Sequence, residues 1–211
     1  MAVYATKNNV LLEYSGKPEN NEEHKKTLEE LDEIFKLYVD ILDLVGKHVM
    51  KCSTIKVKDD KSFHKALNDL YNDADKVNDT FNKKYSDVSE GTLYTRFDSL
   101  SKKFSVKYSN ITMEDKKKYA AIYSKHLEDL VKIADQFTEK WINDLNAKLP
   151  DMRKIDAIYT DKYIQHTQIW YDAFYREFKR TSQNMRYCIF KLDTKRENTI
   201  RYQLIQKIFK D

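Results

Sequence analysis

Histidine is the residue with which this chain could most readily bind metal or move protons, and the sequence has five: His24, His48, His64, His126 and His166. No two of them stand three or four residues apart, and neither His-Glu-x-x-His nor Glu-x-x-His occurs, so local spacing predicts no zinc or di-iron site. Gly-x-Ser-x-Gly, Walker A and Gly-x-Gly-x-x-Gly are also missing from the sequence. These observations predict a protein that is not an enzyme and needs no metal or cofactor. A catalytic site assembled from distant residues stays open as a remote alternative.

Lysine and arginine offer a different chemistry, the binding of anions. Residues 96–118 hold seven basic residues against three acidic ones. Each cation near an anionic membrane surface contributes roughly 1 kcal/mol, so this stretch is a candidate membrane-binding surface. From charge alone, a solvated face without a partner is the alternative. The basic residues are Arg96, Lys102, Lys103, Lys107, Lys116, Lys117 and Lys118.

A second basic stretch begins at Arg176, and from Arg176 onward ten Lys or Arg residues stand against four Asp or Glu residues. It is a candidate surface for membrane or for a protein partner. The net charge of the whole chain is only +4. Dense basic stripes and an aromatic RNA-binding signature are not seen, so the sequence predicts no nucleic-acid partner.

The elements that position these residues are predicted to be long helices. The 211 residues include only three glycines and two prolines, with 34% charged and 41% hydrophobic residues. So few helix breakers leave little room for a turn-rich sheet, and this balance is typical of helices with one buried stripe. The predicted fold is therefore all-α, an elongated antiparallel three-helix coiled coil with long kinked helices.

Heptad-like spacing supports the first two helices. Gly46 lies within the first helix, where a glycine costs about 1 kcal/mol against alanine, and its presence predicts a close approach of another helix there. The second helix is expected to run over 61–109 with a bend near Gly91, a true break being the alternative. The first seam comprises Leu28, Leu31, Phe35, Tyr38, Leu42, Val45, Val49 and Cys52; the second comprises Phe63, Leu67, Leu70, Ala74, Val77, Phe81 and Val88.

Thr112 followed by Glu114 and Asp115 predicts a new helix N-terminus. From there apolar residues recur at helical spacing to about residue 184, on both sides of Pro150. A proline inside a helix removes one hydrogen bond and introduces a kink. The pattern therefore predicts one long kinked helix, more than about 100 Å in length. A bundle so long and narrow, with extra apolar surface, is expected to dimerise.

Three segments are expected: a lead-in over 1–18 with a weak amphipathic face, a helical domain over 19–184 and a basic helical extension over 185–211. No apolar run is long enough for a transmembrane helix, and the first ten residues lack a signal-peptide pattern. Cys52 and Cys188 lie on apolar helical faces, which predicts buried thiols in a reducing compartment. A cytoplasmic protein is expected.

Three stretches resemble the BAR domains of the amphiphysin/Rvs type. Residues 16–23, GKPENNEE, resemble the GKAE-x-T-x-D/E segment before the first helix of that family. Residues 145–153, LNAKLPDMR, resemble its L-x-x-E-L-P-x-L-x-x-x-R segment, and residues 168–177, QIWYDAFYRE, resemble its Q-x-x-F-x-x-E region. Their order and spacing agree with one BAR module over residues 1 to about 184.

The resemblance implies a crescent-shaped homodimer that lacks catalysis and senses or generates curvature in anionic membranes. The family's membrane-facing tip would correspond to the cations of residues 96–118. Heterodimerisation with another BAR protein, or a helical scaffold that binds proteins and little lipid, is the alternative. Apolar residues of the seams are expected at the core or the dimer interface, with the interface assigned to Phe35, Tyr38, Leu42, Val45, Val49, Trp170, Phe174 and Phe178.

Overall fold

The computed structural model describes residues 3–7, 10–14, 21–85, 96–97, 99–100 and 111–192. The described chain is predominantly helical, as predicted. Its helices are α1 (Asn21–Thr54), α2 (Asp60–Tyr85), α3 (Met113–Ala134), α4 (Glu139–Ile155) and α5 (Ala157–Leu192). The expected bend near Gly91 and the tail after residue 192 lie outside the described residues. In the lead-in, β1 (Val3–Lys7) and β2 (Val10–Tyr14) pair as an antiparallel hairpin.

Helix α1 is the element against which all the other described helices pack. With 34 residues it is about 51 Å long. α3 and α4 follow its direction, because Tyr123 of α3 contacts Leu28 near the start of α1, and Lys148 of α4 reaches the carbonyl of Ser53 near its end. α2 follows α1 after a short connection and packs beside it.

The chain reverses at Asp156, and this overturns the expected single helix from 113 to 184. Trp141 of α4 stacks on Tyr171 of α5 with ring centroids 5.7 Å apart, and Arg153 pairs with Asp161 across the corner at 2.7 Å. Those contacts fold α4 and α5 into an antiparallel helical hairpin. Since α3 and α4 run in the same direction, the described chain crosses the length of the bundle four times in alternating directions rather than the three times expected.

Local chemistry explains why the reversal falls at Asp156. Asp156 leaves the helical conformation, with φ −152° and ψ 112°, and its Oδ1 accepts a hydrogen bond from the backbone N–H of Tyr159 at 2.9 Å. It therefore acts as the N-cap of α5. Pro150 lies inside α4 without ending it. It is exposed, so the carbonyl that loses its helical hydrogen bond can be solvated.

A second break, at residues 135–138, separates α3 from α4. Thr138 caps α4, its hydroxyl accepting from the N–H of Trp141. Thr112 caps α3 in the same way through the N–H of Asp115 at 3.0 Å, which confirms the predicted N-terminus. Capping hydroxyls satisfy N–H groups that have no partner within the helix.

Two apolar clusters hold the bundle together. The larger joins the first seam of α1 to α3 and to the C-terminal half of α5, and it includes Phe97 and Leu100. The smaller joins the end of α1 to α2, α4 and the start of α5 through Cys52, Phe63 and Met152. Both predicted seams are buried along the described residues, apart from partly exposed Val45 and Phe81.

Gly46 lies where α1 approaches its neighbours most closely. A Cβ atom at this position would stand 3.2 Å from Cγ2 of Ile133 and 3.4 Å from Cε2 of Phe174. The prediction that Gly46 marks a close helix approach is confirmed.

Candidate functional site

The predicted membrane-binding cations are only partly brought together by the structure. Arg96 is exposed and lies 3.9 Å from the carboxylate of Glu33. Lys117 and Lys118 are exposed in the first turns of α3. Lys102, Lys103 and Lys107 lie outside the described residues.

Lys116 does not fit the prediction, because only 3% of its surface is exposed. It shares the inward face of α3 with buried Tyr119 and Tyr123, three and seven residues further on. Helical residues at this spacing point in one direction. The run of three consecutive lysines therefore divides between core and solvent, and Lys116 cannot meet a lipid headgroup as it is placed.

The residues assigned to a dimer interface lie in the core of a single chain. Five are buried: Phe35, Tyr38, Leu42, Val49 and Phe174. Val45, Trp170 and Phe178 are partly buried against the same core. The reversal at Asp156 accounts for this difference, because it returns α5 along α1 and covers the seam from within the chain.

An exposed surface that combines cations with aromatic rings occupies the C-terminal part of α5. This basic–aromatic face is defined by Tyr175, Arg176, Lys179, Arg186, Tyr187 and Phe190, all exposed. Phe190 is 46% exposed, unusual for a ring of that size beside a large core. The lysine ammonium of residue 179 lies 5.5 Å from the centre of the Tyr175 ring, within the range of a cation–π contact.

The charge of this face is one-sided. Residues 175–192 contain five Lys or Arg residues and one acid, Glu177. Glu177 lies 3.5 Å from Arg176 and 3.7 Å from Arg180. The opposite side of the helix carries the buried positions Thr181, Met185, Cys188 and Leu192. α5 therefore presents a cationic and aromatic surface while its other side is fixed to the core.

A buried cluster of histidine, cysteine and carboxylate lies at the other end of α5. His48 and Cys52 stand one turn apart on α1, and His166 reaches them from α5. The Nε2 atoms of His48 and His166 are 3.0 Å apart, and Cys52 Sγ is 3.9 Å from His48 Nε2. His48 and Cys52 are buried, and His166 is partly exposed.

Asp73 of α2 orients this cluster. Its Oδ2 lies 2.7 Å from His48 Nδ1, and its other oxygen accepts from Lys51. Burial opposes ionisation of Asp73, but the hydrogen bonds from His48 and Lys51 outweigh it and hold the pKa of this carboxyl below its usual range. A carboxylate can only accept a hydrogen bond. His48 Nδ1 must therefore carry a proton, and Nε2 of neutral His48 is left as a lone pair directed at His166.

Burial disfavours the charged forms of Cys52 and His166. Burial raises the pKa of the Cys52 thiol to about 11. Burial, with a smaller contribution from His48, lowers the pKa of His166. The ring of Trp170 packs on His48 at 4.5 Å, and Tyr71 meets His166 edge-on at 5.0 Å. Burial therefore favours the neutral imidazole of His166, the form that donates a lone pair.

Sequence reasoning missed this cluster for an identifiable reason. The spacing between histidines does not reveal it, because the local pair is His48 and Cys52, at i and i+4. That pair is visible in the sequence. His166 is 118 residues from His48, and only the reversal of the chain at Asp156 brings it there.

Comparison with protein-family models, with curated proteins and with solved structures finds no match for this chain. The resemblance to BAR domains therefore rests on three short segments of sequence. Among the described residues, none of the helices combines the length and apolar character needed to cross a bilayer.

Proposed function

We propose that this protein is a helical scaffold that binds anionic phospholipid membrane at its surface. The basic–aromatic face of α5 makes the principal contact, and the exposed cations Arg96, Lys117 and Lys118 contribute a second one. The single observation that carries the proposal is the coexistence of exposed cations and exposed rings on one side of a helix whose other side is fixed to the core.

Each class of side chain on this face suits a different depth of the membrane surface. Arg176, Lys179 and Arg186 would meet lipid phosphates, at roughly 1 kcal/mol for each cation near an anionic surface. Tyr187 and Phe190 would enter the boundary between headgroups and acyl chains, where amphipathic helices place their apolar side. Since α5 is already folded and packed, binding would not carry the entropy cost of ordering a disordered segment.

The finer part of the proposal is a homodimer of BAR-like shape that senses or generates curvature. A rigid curved assembly gains most headgroup contact when the bilayer matches its shape. Such a dimer would have to associate through surfaces other than the buried seam of α1. Light scattering on the purified protein tests the dimer, and electron microscopy of protein-coated liposomes tests the curvature. If the protein is a monomer at the concentration of these experiments, the proposed dimer is wrong, whereas the proposed membrane binding is unaffected.

Liposome sedimentation with a matched pair of variants tests the membrane contact. The test variant reverses three charges on the basic–aromatic face: Arg176→Glu, Lys179→Glu and Arg186→Glu. The control reverses three exposed lysines elsewhere: Lys61→Glu, Lys65→Glu and Lys140→Glu. Net charge is the same in both. The wild type should bind anionic liposomes at low salt and lose binding at high salt.

The control should keep most of that binding, and the α5 variant should lose it while its circular dichroism stays helical. Equal loss in both variants would mean that net charge acts without a defined face. A wild type that ignores anionic liposomes at low salt would overturn the proposal.

A protein-interaction scaffold, or a subunit of a heterodimer, is the second candidate. Ile158 and Ile169 favour it, with 69% and 59% of their surfaces exposed. They stand eleven residues apart, about three helical turns, and so lie on one side of α5. Large exposed aliphatic side chains on a common face suit a protein partner. Replacement of both by serine should leave liposome binding unchanged under the membrane proposal.

A further inference from the structure

We propose that His48, Cys52 and His166 bind a zinc-class divalent cation, with Asp73 holding His48 in the ligating orientation. This site is independent of the membrane contact, since Cys52 belongs to the smaller apolar cluster and none of the three ligands is part of the basic–aromatic face. It would join α1 directly to α5 and, through Asp73, to α2.

The three donor atoms lie close to the spacing that a shared ion requires. With Zn–N bonds of about 2.0–2.1 Å and a Zn–S bond of about 2.3 Å at tetrahedral angles, two nitrogens stand about 3.3 Å apart and nitrogen and sulfur about 3.6 Å apart. Here the two Nε2 atoms are 3.0 Å apart, and Cys52 Sγ is 3.9 Å from His48 Nε2. All three donor atoms lie within 4.8 Å of one another. Cys52 Sγ and His166 Nε2 are the widest pair, and side-chain rotations that bring them together by about 1 Å would give the tetrahedral nitrogen–sulfur distance.

The hydrogen bonds around His48 prepare it as a ligand. Histidine ligands usually donate their second ring N–H to a carboxylate, which fixes the tautomer and raises the basicity of the ligating nitrogen. Asp73 accepts from His48 Nδ1 in that way. The Nε2 lone pair is thereby directed into the space shared with His166 and Cys52.

The donor set selects the class of metal. Two imidazoles and a thiolate suit Zn²⁺ and its neighbours in the first transition row, whereas Mg²⁺ and Ca²⁺ require oxygen ligands. Three protein ligands leave a fourth tetrahedral position for water or an external ligand. A cavity of about 450 Å³ has His48 and Asp73 in its wall, and His166 is itself partly exposed to solvent.

The same atoms could instead form a metal-free hydrogen-bonded chain, in which His166 Nε2–H donates to His48 Nε2. The two arrangements differ in a measurable way. In the hydrogen-bonded arrangement Cys52 stays a thiol and contributes little to the bonding between the two histidines. In the metal site its thiolate is a ligand and gives a spectroscopic signature.

Cobalt substitution of the full chain, freed of metal with a chelator, tests the proposal. The expected result is one Co²⁺ per chain, with a thiolate-to-cobalt charge-transfer band and the intense d–d bands of tetrahedral Co²⁺. Zn²⁺ should displace Co²⁺ and raise the thermal unfolding midpoint. A folded wild-type chain that shows no such bands with excess Co²⁺ overturns the proposal.

Variants assign the bands to these residues. Cys52→Ser should abolish the charge-transfer band, and Cys188→Ser, which alters the other buried cysteine, should keep it. Asp73→Asn should keep the band and weaken Co²⁺ binding about tenfold or more, as changes to groups that orient metal ligands do. His126→Gln, a change to a histidine that contacts Asp32 in another part of the bundle, should bind as the wild type does. A charge-transfer band that survives Cys52→Ser would also overturn the proposal.

Discussion

The hydroxyl of Tyr123 donates a hydrogen bond of 2.7 Å to the backbone carbonyl of Leu28, 95 residues earlier in the chain. Both residues are fully buried, so this bond fastens α3 to α1 inside the larger apolar cluster. The ring of Tyr123 also meets Phe35 edge-on at 5.0 Å. The contact combines apolar packing with a directional hydrogen bond, and the bond fixes the position of α3 along the axis of α1.

Tyr123→Phe removes the bond and keeps the ring. The free energy of unfolding should fall by about 0.5–1.5 kcal/mol, the net contribution of a typical hydrogen bond. Urea unfolding followed by circular dichroism measures the loss. Tyr187→Phe, which alters an exposed tyrosine of α5, should leave the midpoint unchanged. Equal effects from the two substitutions would contradict a specific role for the Leu28 bond.

Alkaline pH should destabilise the fold. Burial raises the pKa of the Cys188 thiol to about 12 and holds the pKa of the Tyr123 phenol above its usual range. In the unfolded chain the pKa of a cysteine thiol is about 8.5 and that of a tyrosine phenol is about 10. The folded chain keeps these protons where the unfolded chain loses them, so the free energy of unfolding falls as pH rises.

Below about pH 8 these two groups are protonated in both states, and their stabilising effect is fully present. Urea midpoints measured from about pH 7 to about pH 11 should therefore be level at first and then decline. Tyr123→Phe should show a shallower decline above about pH 10. A wild-type midpoint that stays constant across this range would refute the prediction.

Gly46 should tolerate alanine and reject a larger side chain. Alanine gains about 1 kcal/mol of helix propensity, which the crowding against Ile133 offsets, so Gly46→Ala should change stability little. Gly46→Leu should lower the free energy of unfolding by about 1–3 kcal/mol, as overpacking of a core does. Thermal unfolding measures both. Lys47→Leu places the same side chain at the exposed neighbouring position and should have a small effect; a matching loss there would argue against crowding.

Asp156 should be required as a cap rather than as a charge. Asp156→Ala removes the acceptor for the N–H of Tyr159 and should lower the unfolding midpoint. Asp156→Asn keeps an oxygen in the same place, and asparagine caps helices about as well as aspartate. Its midpoint should stay close to that of the wild type. If the two variants were equally destabilised, the ion pairing of Asp156 with His64, 3.5 Å away, would matter more than the cap.

The first helix could be predicted from the sequence because its apolar seam is periodic and its burial follows from that period alone. The reversal at Asp156 could not. Apolar residues recur without interruption on both sides of it, since both arms of the hairpin pack on the same core. No glycine marks the turn, and Pro150 lies inside α4, where the helix continues. Capping by a single aspartate has little sequence signal when aspartates are abundant.

Among the candidate functional residues, too, some features could be predicted from the sequence and others could not. The basic stretch after Arg176 was visible as composition, but its exposed rings emerged only when the buried side of α5 was known. The burial of Lys116 depends on its phase within α3. His166 joined His48 and Cys52 through the same reversal, which no local rule could supply.

The Asp156 hairpin also bears on the order in which the protein folds. Its first contacts, such as that between Arg153 and Asp161, close very short loops, and short loops cost little chain entropy. Contacts between α1 and α5, such as that between His48 and His166, span 118 residues and form slowly by comparison. We therefore expect the α4–α5 hairpin to form early and the docking of α1 onto α5 to come later.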